Sequence, residues 1–140
     1  MATVNSYLTF NGNTEEAFNF YKSVFGGEFT YIGKFKDMPA DENCPPPSAE
    51  EGELIMHVSL PISKETILMG SDATSFSGNV TFGTNFSVSI NTDSKEEADT
   101  LFNGLSAGGK VTMPMEKTFW GAYFGMFTDK FGINWMVNFD

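Results

Sequence analysis

One pattern occurs twice along this chain. Asn13-Thr14-Glu15-Glu16 is followed by Ala17, Phe18, Tyr21, Val24 and Phe25 and closed by Gly26-Gly27. Asp93-Ser94-Lys95-Glu96 is followed by Ala98, Leu101, Phe102 and Leu105 and closed by Gly108-Gly109. In both copies the apolar residues recur at i, i+3/i+4 and i+7, the spacing of one buried helical face. Asn13 with Glu16, and Asp93 with Glu96, stand where a capping box satisfies the first free N–H groups of a helix. Paired glycines stop a helix because glycine enters the left-handed cap without steric cost. The spacing predicts helices over 14–25 and 94–106.

Strand patterning surrounds each helix. Residues 4–11, 28–35, 54–60 and 66–71 read as strands in the first half, and 85–91, 110–113, 119–128 and 133–139 in the second. Gly27-Glu28-Phe29-Thr30 lines up with Gly109-Lys110-Val111-Thr112, and Thr9-Phe10-Asn11 with Ser89-Ile90-Asn91. Each half therefore reads β-α-β-β-β. Two such units are too few for a solenoid. The sequence predicts an α+β fold: two βαβββ modules, about 1–75 and 84–140, within one domain spanning 1–140. Each sheet is expected to bury one face under its helix, leaving the other faces to meet around a cavity. Residues 36–53 break the pattern, with Pro39, Pro45, Pro46 and Pro47, many acids and no apolar periodicity. They read as a long, mobile loop that covers the cavity as a lid.

Charge narrows the partners. Eight lysines face eighteen acids, a formal charge of −10, and the sequence contains no arginine. An acidic surface repels phosphate backbones, so neither nucleic acid nor an anionic membrane is an expected partner. No run approaches the roughly 18 apolar residues of a membrane span. The opening MATVNSYLTF lacks the basic and apolar regions of a signal peptide. Cys44, the single cysteine, forms no intramolecular disulfide, and the expected location is the cytoplasm. Acidic neighbours Asp41, Glu42 and Glu50 mark its thiol as inert.

Alternation places candidate site residues. On the strand 54–60, Met56, Val58 and Leu60 share one face and Ile55, His57 and Ser59 the other. If the purely apolar face lies under the helix, His57, the only histidine, faces the cavity as a general base or a ligand-orienting group. On 85–91, Phe86, Val88 and Ile90 alternate against Asn85, Ser87 and Ser89, and a polar face predicts a wet cavity or an interface. Met69 and Met136, with Trp120, Phe124 and Trp135, either line an apolar pocket, since thioethers and aromatic rings adapt to hydrophobic ligands, or simply fill the core. Glu116 and Lys117 offer an acid and a cation at its mouth.

Several motifs resemble the PhnB-like family of the vicinal oxygen chelate superfamily, which includes glyoxalase I, extradiol dioxygenases and bleomycin-resistance proteins. They are Tyr7-Leu8-Thr9-Phe10-Asn11-Gly12-Asn13, Phe20-Tyr21, Phe25-Gly26-Gly27, Met56-His57-Val58, Leu68-Met69-Gly70-Ser71-Asp72, Phe119-Trp120-Gly121 and Thr128-Asp129-Lys130-Phe131-Gly132 with Ile133-Asn134-Trp135. Family members often carry the description 3-demethylubiquinone-9 3-methyltransferase-like domain. The resemblance implies a glyoxalase/bleomycin-resistance fold, a homodimer and a ligand cavity. It also carries the superfamily's four metal-ligand positions onto Ser6, Met69, Asn85 and Met136. These are weak donors for a divalent catalytic ion, so neither metal nor other cofactor is expected. The cavity is expected to be lined by Ser6, His57, Met69 and Ser71 from the first module and Asn85, Ser87, Trp120 and Met136 from the second. The resulting expectation is a metal-free protein that binds a small molecule, uncharged or cationic. The alternatives are a metal-dependent lyase, isomerase or dioxygenase using His57, a methyltransferase of the 3-demethylubiquinone type, and a dimeric structural scaffold.

Overall fold

The apolar stripe of residues 14–25 forms helix α1 (Thr14–Phe25), with Ala17, Phe18 and Tyr21 buried. The second stripe forms the helix Lys95–Ser106, burying Ala98, Phe102 and Leu105. These come from a computed structural model that describes residues 2–39 and 46–140. Cys44, and the inert thiol read for it, lie outside the described residues, as do the other residues of 40–45. The chain divides into two compact units, residues 1–80 and 81–140.

The first unit runs β1 (Tyr7–Phe10), α1, β2 (Tyr31–Lys34), a short helix α2 (Ala49–Gly52), β3 (Ile55–Pro61) and β4 (Ile67–Asp72). Its sheet has the order β1-β4-β3-β2, with β1 parallel to β4 and the other pairs antiparallel. The second unit runs β5 (Val88–Asn91), α3 (Lys95–Ser106), β6 (Lys110–Lys117), β7 (Tyr123–Thr128) and β8 (Asn134–Phe139). Its order is β5-β8-β7-β6, again with one parallel pair, β5 with β8. The strand order is the same in both units, so the fold is α+β with two βαβββ modules.

Each helix packs on a glycine of its own sheet. A Cβ at Gly70 would come within 2.6 Å of the Phe18 ring, and one at Gly125 within 2.8 Å of Phe102. Phe18 meets Phe10 and Tyr21 edge-on at 6.4 and 5.5 Å. Phe102 meets Phe127 in the same way at 5.1 Å. Full burial of a ring of this kind stabilises by about 1.5–3 kcal/mol. Trp135 belongs to this core. It is fully buried, and its indole N–H donates to Asp129 Oδ2 at 2.8 Å, so of the two readings of Trp135, pocket wall or core, the structure takes the core.

The helix starts differ from the expected boxes. Asn13 precedes α1 but makes no side-chain cap. The cap comes from Asp72, at the end of β4. Its Oδ1 accepts from Gly12 N (3.1 Å), Thr14 N (3.0 Å) and Thr14 Oγ1 (2.6 Å), and its Oδ2 from Ile55 N (2.9 Å). Helix α3 is capped one residue later than expected, by Ser94 Oγ accepting from Glu97 N at 3.0 Å, while Glu97 Oε1 accepts from Asp93 N at 2.9 Å. Residues 36–53 also hold more structure than a loop: a 3₁₀ turn at Phe35–Asp37 and α2, capped by Ser48. Glu51 fastens α2 to the segment after β4 by accepting from Ser75 N at 2.7 Å.

Strand β5 starts at Val88, so Phe86 is 64% exposed rather than buried by alternation. Strand β6 extends through Lys117, and residues 118–122 turn into β7 with Thr118 N donating to Ala122 O at 2.7 Å. Helix α3 is tied to β7 by the Tyr123 hydroxyl, which donates to Asp99 Oδ1 at 2.5 Å.

Two outcomes follow from these bonds. Asp72→Ala is expected to lower stability in urea unfolding by about 3 kcal/mol or more, because each buried donor left unpaired costs about 1–3 kcal/mol. Asn13→Ala, whose side chain caps nothing, is expected to change it by less than about 0.5 kcal/mol. The hydrogen bond to Asp99, then desolvation and the carboxylate charge, raise the Tyr123 phenol above its ordinary pKa. A raised acid stabilises the fold below its unfolded-state pKa and loses that contribution as pH rises through the folded value. Asp99→Asn is therefore expected to make one tyrosine ionise earlier in an alkaline ultraviolet titration.

Candidate functional site

In the first unit, alternation fixes which side chains leave the helix face. Leu8 and Phe10 are buried, and Gly70, opposite Leu8, lies against Phe18. Val58, opposite Gly70, is also buried. Tyr7, His57, Ser59, Met69 and Ser71 have the other parity and stand on the face turned away from α1. The register brings them together: Tyr7 pairs with Met69, Met69 with Ser59, and Ser59 with Tyr31.

His57 is the centre of this face. Its Nε2 lies 2.9 Å from Ser59 Oγ and its Nδ1 lies 3.3 Å from the Tyr7 hydroxyl. In either neutral tautomer one ring nitrogen donates and the other accepts, and each hydroxyl is able to play either part. The imidazole stacks with Tyr7 at 5.7 Å and 29° and lies 5.9 Å from the Tyr31 ring. Gly33 pairs with His57 on β2, and a side chain there would run into the Tyr31 hydroxyl. The glycine thus leaves room for Tyr31 to lie across the sheet. Tyr7 and Tyr31 remain 48% and 47% exposed.

Ser6, just before β1, accepts from Met69 N through its carbonyl at 3.1 Å. His57, Met69 and Ser71 thus share one sheet face, while Ser6 precedes β1 with the parity of the buried Leu8 and Phe10 and is joined to β4 through its backbone. Alternation along residues 54–60 sets His57 opposite in parity to Val58, on the face turned away from α1. It missed Tyr7 and Tyr31, although the buried Leu8 and Phe10 imply the opposite face for Tyr7, and Gly33 marks the space beside Tyr31.

In the second unit, Val88, Gly125, Phe127, Trp135 and Val137 are buried. Ser89, paired with Met136, and Met126, also paired with Met136, share the opposite parity. Phe124 joins them, with the Trp120 ring 6.3 Å away and 59% exposed. Met136 and Trp120 therefore stand toward the open side. Asn85 lies in the exposed segment before β5, and Ser87 falls one residue short of the strand. Of the three polar residues read as one strand face, only Ser89 lies within β5. Glu116 and Lys117 end β6 as exposed residues that form no ion pair among the described residues.

A divalent catalytic ion does not fit this donor set. The positions that the resemblance associates with metal ligation, Ser6 and Met69 in the first unit and Asn85 and Met136 in the second, hold a hydroxyl, a carboxamide and two thioethers, where such ions take imidazole and carboxylate. Among the described residues no group of three or more His, Cys, Asp or Glu is placed to hold a metal. An S-adenosylmethionine site of the doubly wound kind does not fit either. The Gly12 and Thr14 N–H groups at the first strand-to-helix turn are taken by Asp72, and the sheets are mixed and four-stranded.

Two βαβββ units of matching strand order define the glyoxalase/bleomycin-resistance class of fold. The chain belongs to the PhnB-like family, whose sequence model, described as 3-demethylubiquinone-9 3-methyltransferase, matches residues 2–138. It is 35% identical to the Escherichia coli (strain K12) protein YjdN, across 96% of this chain and 93% of that one. The crystal structure of protein PA1353 from Pseudomonas aeruginosa is 40% identical, covers 100% of this chain and 98% of its own, and superposes with a TM-score of 0.84. A putative 3-demethylubiquinone-9 3-methyltransferase, PhnB protein, from Bacillus cereus is 26% identical, with 99% and 100% coverage and a TM-score of 0.75. The fold alone is shared with a glyoxalase/bleomycin resistance protein/dioxygenase family enzyme from Burkholderia phytofirmans PsJN, at 16% identity, 97% and 98% coverage and a TM-score of 0.59. No helix of the described residues is long and apolar enough to cross a membrane.

The donor chemistry has a direct check. Equilibration with Zn²⁺ or Ni²⁺ followed by dialysis is expected to leave the melting temperature unchanged and far less than one ion per chain by elemental analysis. A stoichiometric ion lost on His57→Asn would contradict it.

Proposed function

We propose that this chain is a metal-free small-molecule-binding protein of the PhnB-like family, taking its ligand on the face of the first sheet turned away from α1. The observation that carries this reading is the half-exposed aromatic cluster of Tyr7, His57 and Tyr31. Binding sites combine apolar and aromatic walls with a few fixed polar atoms. Here Met69 and the two tyrosine rings provide the walls, and the Tyr7–His57–Ser59 hydrogen bonds fix the polar atoms. Both ring nitrogens of His57 already have partners on this chain. That favours a positioning role for the imidazole over proton abstraction, which needs a nitrogen within hydrogen-bond reach of the ligand.

One variant assayed in three ways tests the reading. Small aromatic compounds are expected to raise the melting temperature of the wild type. His57→Asn keeps one hydrogen bond and is expected to change ligand affinity by at most about 1–1.5 kcal/mol. If His57 were instead a general base, the variant would lose roughly 10²–10⁴-fold in turnover on a panel of superfamily-type substrates. Wild-type turnover that disappears in His57→Asn, with folding and affinity intact, would overturn the proposal in favour of an enzyme.

A further inference from the structure

We infer that the Tyr7–His57–Tyr31 face selects flat organic cations over neutral and anionic molecules of the same size. The inference rests on the binding reading above and narrows it to a ligand class. Three rings share this face, His57 lying 5.7 Å from Tyr7 and 5.9 Å from Tyr31. The polar atoms of Tyr7, His57 and Ser59 largely satisfy one another. What the face chiefly offers to an incoming ligand is therefore its π surface. The face of an aromatic ring carries the negative part of its quadrupole and attracts a cation held within about 6 Å of the centroid.

Elsewhere the protein fills such positions with its own lysines. Lys22 Nζ lies 5.1 Å from the Phe29 ring, Lys95 Nζ 5.0 Å from Tyr123 and Lys130 Nζ 5.5 Å from Phe131. Among the described residues no lysine stands over Tyr7, Tyr31 or His57, and the sequence has no arginine to do so. Lys34, the cation on neighbouring β2, is engaged by Glu53 at 3.1 Å. A formal charge of −10 adds long-range attraction for a cation and repulsion for an anion. Neutral aromatics gain the stacking but not the charge.

The test is calorimetric titration of the full chain with three probes of similar size: N-methylquinolinium, 4-methylquinoline kept neutral at mildly alkaline pH, and 1-naphthoate. N-methylquinolinium is expected to bind about tenfold tighter than 4-methylquinoline, within the range of a partly desolvated cation–π contact, with 1-naphthoate the weakest. Tyr7→Leu and Tyr31→Leu are each expected to weaken the cation about 3–10-fold, whereas Tyr7→Phe, which keeps the ring, changes it by less than about twofold. Raising salt from about 50 to about 500 mM is expected to weaken the cation and leave the neutral probe unchanged. Circular dichroism of each variant separates lost binding from lost folding. If 4-methylquinoline binds as tightly as the cation and both are weakened by the leucine variants, the ligand class is overturned and the binding reading stands. If no probe binds, or binding ignores both tyrosines, both are overturned. Self-association that Tyr7→Leu abolishes would assign the face to a second copy of the chain and likewise overturn the inference.

Discussion

The buried carboxylate of Asp72 sets the geometry of the first unit. It lies at the end of β4 and takes hydrogen bonds from the turn before α1, from the first residue of α1 and from the first residue of β3. A carboxylate at a helix N-terminus meets both the free N–H groups and the positive end of the helix dipole. One side chain therefore fixes where α1 begins, and with it the rotation that lays Phe18 on Gly70. Once that side of the sheet is committed to the helix, strand parity leaves Tyr7, His57, Ser59 and Met69 on the other. The second unit reaches the same strand order by other means. Its helix is capped locally by Ser94, while Asp129 ties the β7–β8 turn, accepting from Phe131 N at 2.8 Å and Ile133 N at 3.0 Å, and holds the Trp135 indole.

That difference explains what local patterning reveals. Both helices were legible because a buried stripe repeats every three to four residues whatever the partner. The cap of α1 was not, since Asp72 is 58 residues from Thr14 in sequence and nothing near Asn13 announces it. The cap of α3 was misplaced by one residue because Asp93 and Ser94 are both competent caps, and only the chain path from β5 selects Ser94. Strand edges were overrun where polar and apolar residues alternate beyond the last ladder bond, as at Phe86. Helix α2 has four residues and no apolar stripe, so periodicity had nothing to find.

The side chains sharing the first sheet's open face were legible only in part. Parity within one strand was enough for His57, because Val58 and Leu60 beside it demand the core. The cluster itself depends on register between strands, and a ladder joining Tyr7 to Met69 and Ser59 to Tyr31 is written in no local stretch. The polar face expected across 85–91 shrank to Ser89 because β5 begins late. Trp135, a large apolar residue two positions from Val137, shares that residue's parity and its burial; its indole N–H needed a partner inside the core and found Asp129.

A fold of this class does not carry a chemistry with it. What a member does depends on the side chains that strand parity delivers to the open faces. Here the positions that the resemblance associates with metal ligation hold a hydroxyl, an amide and two thioethers. The one imidazole is spent on two hydroxyls of its own sheet. An imidazole so held is fixed in place by Tyr7 and Ser59, and a fixed ring flanked by two half-exposed tyrosines gives up little further freedom when something stacks on it. For a ligand stacking there, the ordering cost would largely be met by folding itself. On the proposed reading, the hydrogen bonds that occupy both nitrogens of His57 are the same ones that would hold the face ready for a ligand.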